Sequence, residues 1–175
     1  MNKKRPRRYI ERKVKEMKTI EYRFIDKTSW PEGEWNDEPD KVQWQDEETQ
    51  LPCLAKRNPM GAWCGYVGIA EGHPLFGQDY DSQDDLEIHG GLTFSGFCQE
   101  DDKEHGICHM PDEGEPDRIW WLGFDCAHGL DLMPISLKRR QALTDETYKT
   151  LDYVRAECAN LAHQLIGIYK KKRPR

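Results

Sequence analysis

No stretch of this 175-residue chain supplies the roughly 18 consecutive apolar residues that a membrane-crossing helix needs, so a spanning helix is excluded. The six cysteines form no CxxC pair, and neither an HExxH string, a dinuclear carboxylate motif nor a Walker A loop occurs. The common signatures of paired-cysteine zinc sites, zinc proteases and P-loop enzymes are thus missing. Behind the basic start MNKKRPRRYIERKVKEMK there is no apolar stretch and no small-residue cleavage site. Secretion is not expected, and the thiols are expected to stay reduced in a cytoplasm. Hydrophobic residues make up only 37% of the chain against 33% charged, with a mean hydropathy of -0.93, which suits one water-facing globular domain.

The formal net charge of -6 hides a division. Residues 1–18 hold nine Lys/Arg and two Asp/Glu, a balance of +7, and residues 170–175 (KKKRPR) add five basic groups and no acid. The 12 basic and 30 acidic groups between them leave residues 19–169 at -18. The chain therefore divides into a basic N-terminal segment (1–18), a single acidic domain (19–169) and a basic tail (170–175). Basic ends can grip phosphates, whereas an acidic body repels a duplex and complements a basic partner surface. On this reading the tails contact nucleic acid already held there. The plainer alternative is a solvated acidic surface with solvated ends.

Residues 5–18 place Ile10, Val14 and Met17 at helical spacing, which predicts a short basic helix. Alternation over Ile20, Tyr22 and Phe24 predicts a strand. Residues 27–50 read as an acidic surface excursion with a short strand near Val42–Trp44. Its Trp30, Trp35 and Trp44 either pin it to the core or anchor a partner. WCGYVGIA (63–70) predicts a buried strand whose Gly65 and Gly68 allow close approach. LEIHGGLTFSGF (86–97) predicts a strand with a bulge at Gly90-Gly91 that re-aims His89, and RIWWLGFDCA (118–127) predicts the most apolar strand. Thr144 reads as the N-cap of a helix of about 25 residues with Leu151, Val154, Cys158, Leu161, Leu165 and Ile168 in one stripe. That stripe covers the sheet or, alternatively, forms a dimer seam. The expected fold is α+β, a mainly antiparallel sheet of four to six strands packed by the C-terminal helix.

The chemically suggestive residues gather in the acidic body. His89 on its glycine-flanked segment, with Asp125 and His128 at the end of the apolar strand, offers three ligands and an open position for zinc or another divalent metal. Asp131 offers a further carboxylate. A structural zinc on Cys98, His105, Cys108 and His109 is a second option, although the spacing C-x6-H-x2-C-H is irregular. Cys126 between Asp125 and His128 is either a nucleophile or a buried structural thiol. Gly90-Gly91 with Thr93 and Ser95, among aromatics that offer stacking faces, admits a nucleotide.

The strings WCGYVGIAEGHPLFGQDYD (63–81), IHGGLTFSG (88–96), WWLGFDCAHGLD (120–131) and YKTLDYVRAECANLAHQL (148–165) resemble a group of small proteins encoded in phages and prophages. The resemblance spans about residues 60–165 and carries over no catalytic role. It implies a context, since small phage accessory proteins often antagonise host defence. The expected function is inhibition, in the host cytoplasm, of a defence component such as a nucleic-acid-guided nuclease, through an acidic surface in which Trp35 and Trp44 serve as contacts. The alternative is a metal-dependent hydrolase or nucleotide-binding protein using His89, Asp125 and His128.

Overall fold

The computed structural model describes residues 18–83, 85–98, 102, 104–111, 113–116 and 118–172, so the expected N-terminal helix lies outside the described residues. Six strands form one antiparallel sheet: β1 (Ile20–Tyr22), β2 (Lys41–Gln45), β3 (Pro52–Arg57), β4 (Trp63–Ala70), β5 (Phe94–Phe97) and β6 (Ile119–Asp125), in the order β1-β2-β3-β4-β6-β5. One long helix, α1 (Leu151–Lys172), lies across it. The α+β expectation holds, with the sheet at its upper strand count.

Both faces of the central strands are covered. On one, Val67 and Ile69 of β4 and Leu122 and Phe124 of β6 meet Val154, Cys158, Leu161 and Leu165 of α1. On the other, Leu54, Tyr66, Ile119 and Trp121 pack with Ile107 from the loop before β6. Two buried faces explain why β4 and β6 read as continuous apolar runs rather than alternating ones. Gly65 lets the helix come close, because a Cβ there would sit 2.5 Å from the Phe124 ring and 2.9 Å from Cys158 Sγ. The helical stripe is spent inside the monomer, with Val154, Cys158, Leu161 and Leu165 fully buried. That corrects the alternative of a dimer seam along it.

Four local expectations change. Residues 86–93 are a loop, not a bulged strand: Gly90 and Gly91 take φ of +65° and +82°, and the Gly91 N–H closes a turn onto the Ile88 carbonyl. The helix starts at Leu151 rather than after Thr144, since Glu146 is claimed by Arg140 and Thr147 is bridged to Asp131. Thr150 caps it instead, its Oγ1 accepting the Tyr153 N–H at 3.3 Å. Finally, Cys98 and Cys108 form a disulfide, so not all six thiols are reduced in this structure.

Two polar knots tie α1 to the sheet. In the first, Arg57 of β3 is wholly buried and donates to Glu38 Oε2 at 2.9 Å, to the Gly61 carbonyl at 2.7 Å and to the Tyr148 hydroxyl at 2.8 Å. Glu38 also accepts from Trp63 Nε1 at 3.0 Å, from the Tyr148 hydroxyl and from the Leu151 N–H at 2.8 Å. Asp40 joins Lys27 at 2.7 Å and accepts the backbone N–H groups of Phe24 and Ile25.

Candidate functional site

The second knot forms where the end of β6 and the 88–91 turn meet the first turns of α1. Asp131 is its anchor, 4% exposed, with its backbone held by a parallel bridge to Thr147. Its Oδ2 accepts from His89 Nε2 at 2.7 Å and from the His128 N–H at 3.0 Å, while Lys149 Nζ lies 3.7 Å from Oδ1. A carboxylate only accepts, so the His89 proton sits on Nε2 and the Tyr153 hydroxyl donates to Nδ1 at 2.8 Å when the ring is neutral. Glu157, one helical turn beyond Tyr153, accepts the His89 N–H at 2.9 Å. His89 is thereby tied to α1 and to the loop after β6 at once.

His128 is held differently. Its ring lies tilted at 44° to that of His89, with centroids 5.7 Å apart, and rests on Gly90, where a Cβ would fall 2.0 Å from the ring. A side chain at position 90 would expel the imidazole. His128 Nε2 is buried, faces Asp125 Oδ1 at 3.6 Å, beyond a hydrogen bond, and has no hydrogen-bonded partner among the described residues. The side chain remains 34% exposed. Asp125 is itself oriented by accepting the Ala127 N–H at 2.9 Å.

The centre holds three carboxylates, Asp125 beside His128, Asp131 beside His89 and Glu157 on the His89 N–H, and one ammonium, Lys149, which lies against Asp131. Burial raises the Tyr153 hydroxyl above its ordinary range, and the charges of Glu157 and Asp131 push the same way. The phenol stays protonated and acts as a donor. Burial, then Asp131, likewise drives the Cys126 thiol well up, and the side chain is 2% exposed. That is the environment of a structural cysteine, not of a thiolate nucleophile.

The sequence-predicted residues divide accordingly. His89, Asp125 and His128 come together, with Asp131 between them. Among the described residues no group of three or more His, Cys, Asp or Glu side chains is arranged to hold a metal ion, and both ring nitrogens of His89 have protein partners. Thr93 donates its N–H to the Gly123 carbonyl at 2.8 Å, ahead of β5. The alternative zinc set does not assemble: Cys98 and Cys108 are joined to each other, His105 bonds Asp102, and His109 packs against Trp121. Trp35 is buried edge-to-face on Tyr148, and Trp44 packs in the core under the Arg155 guanidinium. These contacts pin the 27–50 excursion to the core, one of the two roles open to its tryptophans, with Trp35 buried and Trp44 partly exposed.

Sequence reasoning missed Tyr153, Glu157 and Lys149. The available signal was the spacing of four between Tyr153 and Glu157, which puts those two on one side of the helix, whereas Lys149 precedes it. No protein-family model matches the chain, and no curated protein or solved structure matches it.

Proposed function

We propose that this protein is a phage-type accessory protein that inhibits a host defence component, such as a nucleic-acid-guided nuclease, by docking an acidic surface on the partner's basic nucleic-acid-binding face. The supporting observation is where the charges lie. Five body cations are turned inward or onto rings, Lys27 and Arg57 toward Asp40 and Glu38, Lys149 toward Asp131, Arg118 over Phe97 and Arg155 over Trp44, while the exposed Arg23, Lys138, Arg139 and Arg140 lie outside the 79–87 segment. The exposed carboxylates of Asp79, Asp81, Asp85 and Glu87 make no ion pair among the described residues. In their midst Tyr80 is 40% exposed, and its N–H is fixed by Ser95 Oγ of the edge strand β5. An aromatic anchor ringed by unpaired acids complements a basic groove. The basic ends contact nucleic acid already bound there, and the protein acts in the host cytoplasm.

The test is inhibition of target cleavage by a purified guided nuclease, measured against salt. Asp79→Lys, Asp81→Lys and Asp85→Lys together should weaken inhibition more than tenfold and flatten its salt dependence, with the thermal unfolding curve unchanged. Unaltered inhibition by the triple variant would overturn the proposal. A second reading, a hydrolase or nucleotide-binding protein using His89, Asp125 and His128, draws on the convergence of those three residues around Asp131.

A further inference from the structure

The connection from β5 to β6 does more than join two neighbours, because it covers the sheet face turned away from α1. Its Ile107 enters the cluster of Leu54, Tyr66, Ile119 and Trp121, and His109 sets its ring edge-on to Trp121 at 5.3 Å. Gln43 of β2 clamps Met110, donating from Nε2 to its carbonyl at 2.8 Å and accepting its N–H at 3.0 Å. His105 packs edge-on against Phe24, just past β1, with ring centroids 4.5 Å apart. This strap is fastened covalently where Cys98, at the end of the edge strand β5, is bonded to Cys108, 10 positions on. Covering the face has costs. The Trp121 indole N–H is buried with no hydrogen-bonded partner among the described residues, and Lys41 of β2 is wholly buried with its ammonium over the Tyr22 ring. Burial, and then Lys56, push the Lys41 amine down to about 8 against the opposing pull of Asp102 and Glu104 in the strap. Both groups regain water when the strap lifts. Against this, the bond closes a short loop, which favours the covered state on the order of 100-fold by loop entropy.

We propose that the Cys98–Cys108 bond is a redox latch, opened by an external dithiol, which holds the β5–β6 strap over the sheet and on reduction frees it to lift. The latch is independent of the acidic docking surface and of the cluster at His89, Asp125 and His128. Cys98 is partly exposed whereas Cys108 is 2% exposed, so the reductant's thiolate attacks Cys98 Sγ. The S–S bond breaks, Cys108 leaves as a thiolate and takes up a proton, and the reductant's second thiol expels Cys98. Two electrons have then passed to the protein, and the reductant has become a cyclic disulfide. The other cysteines, Cys53, Cys64, Cys126 and Cys158, are buried free thiols. Cys64, on the same face as the strap, is pushed up to about 11 by burial and then by Asp125, so it stays protonated and does not exchange with the bond. A chain that keeps these thiols unbonded is not assembled on disulfides, which leaves the single bond free to be conditional.

The test is hydrogen–deuterium exchange of the full chain before and after dithiothreitol, with alkylation and mass spectrometry reading the state of Cys98 and Cys108. Reduction should speed exchange across 104–110, where the Gly106 and Met110 N–H groups are hydrogen-bonded, on the order of 100-fold. Amides of β4 and α1 should keep their oxidised rates, and reoxidation with oxidised glutathione should restore slow exchange in the strap. Cys98→Ser should exchange at the fast rate with or without dithiothreitol. Four results would each overturn the proposal: slow exchange in 104–110 once both thiols are alkylated, a bond that dithiothreitol fails to open in the folded chain, equal speeding throughout the sheet, which would make the bond a staple of the whole fold, or slow exchange restored to the reduced chain by zinc.

Discussion

The two polar knots that fasten α1 to the sheet are built alike and finished differently. Each holds a buried anchor, Arg57 in one and Asp131 in the other, and each recruits a tyrosine of the helix region, Tyr148 or Tyr153. In the Arg57 knot, donors and acceptors match until the guanidinium is enclosed, with Trp63 stacked at 4.2 Å from its carbon. In the Asp131 knot the matching stops at His128, whose buried Nε2 faces Asp125 at 3.6 Å without a hydrogen bond. Closure of a buried charged network serves cohesion, because any missing partner strands a charge out of water. A buried nitrogen left unmatched works the other way, because it gives up its contacts with water and gains no protein partner.

The contrast yields a ranked set of expectations. The largest is for Arg57→Met, which leaves Glu38 and Asp40 without their buried cation; a loss of about 3–5 kcal/mol is expected in urea unfolding, and a loss under about 1 kcal/mol would erase the distinction between the knots. Next, removal of each tyrosine hydroxyl compares them directly. Tyr148→Phe gives up bonds to two charged groups and should cost about 2 kcal/mol, while Tyr153→Phe gives up one bond to a neutral ring and should cost about 1 kcal/mol. Equal losses, read as midpoint shifts in the same titration, would contradict the ranking.

A smaller effect appears in acid. Burial tends to raise the Asp40 carboxyl, but hydrogen bonds from Lys27 and from the Ile25 and Phe24 N–H groups outweigh it and hold the group below its ordinary range. A depressed folded-state value stabilises the fold above the ordinary carboxylate pKa of about 4 and loses that contribution as pH falls toward the folded value. Thermal unfolding of Asp40→Asn between pH 6 and pH 2.5 should therefore fall less steeply than that of the wild type; parallel curves would exclude Asp40 from the acid limb. The smallest change is expected for His128→Gln, within about 0.5 kcal/mol of wild type, because only ring packing on Gly90 and beside His89 is given up and no Nε2 hydrogen bond is lost. A calorimetric loss of 2 kcal/mol or more would class His128 with Arg57 as a structural group.

How far these features were visible beforehand depended on the distance over which they are encoded. Strands β4 and β6 were legible because two-sided burial writes itself as an uninterrupted apolar run. β3 was not, since Pro52, Lys56 and Arg57 interrupt any alternation, and the burial of Arg57 depends on Glu38, which lies 19 positions away. The stripe of α1 was legible, but its start was not: Thr144-Asp145-Glu146 has the composition of a cap, and tertiary pairing of Glu146 and Thr147 overrides it. His89, Asp125 and His128 stood out as reactive residue types at strand and turn ends. Tyr153 and Glu157 did not, because the helix register against the 88–91 turn is set only by packing. The Cys98–Cys108 bond was beyond spacing arguments, which leave pairings open.

The first hydrogen bond of α1 has a consequence for the order in which the chain assembles. The N–H of Leu151 is satisfied by Glu38, a residue 113 positions earlier, rather than by a neighbour. During synthesis that carboxylate leaves the ribosome long before the helix does, and it must wait, unpaired with Leu151, while five further strands are made. The helix, arriving last, finds its starting point already marked on the sheet, so docking and helix initiation become one event. Severed from residues 18–57, the same helical segment would begin at a frayed end.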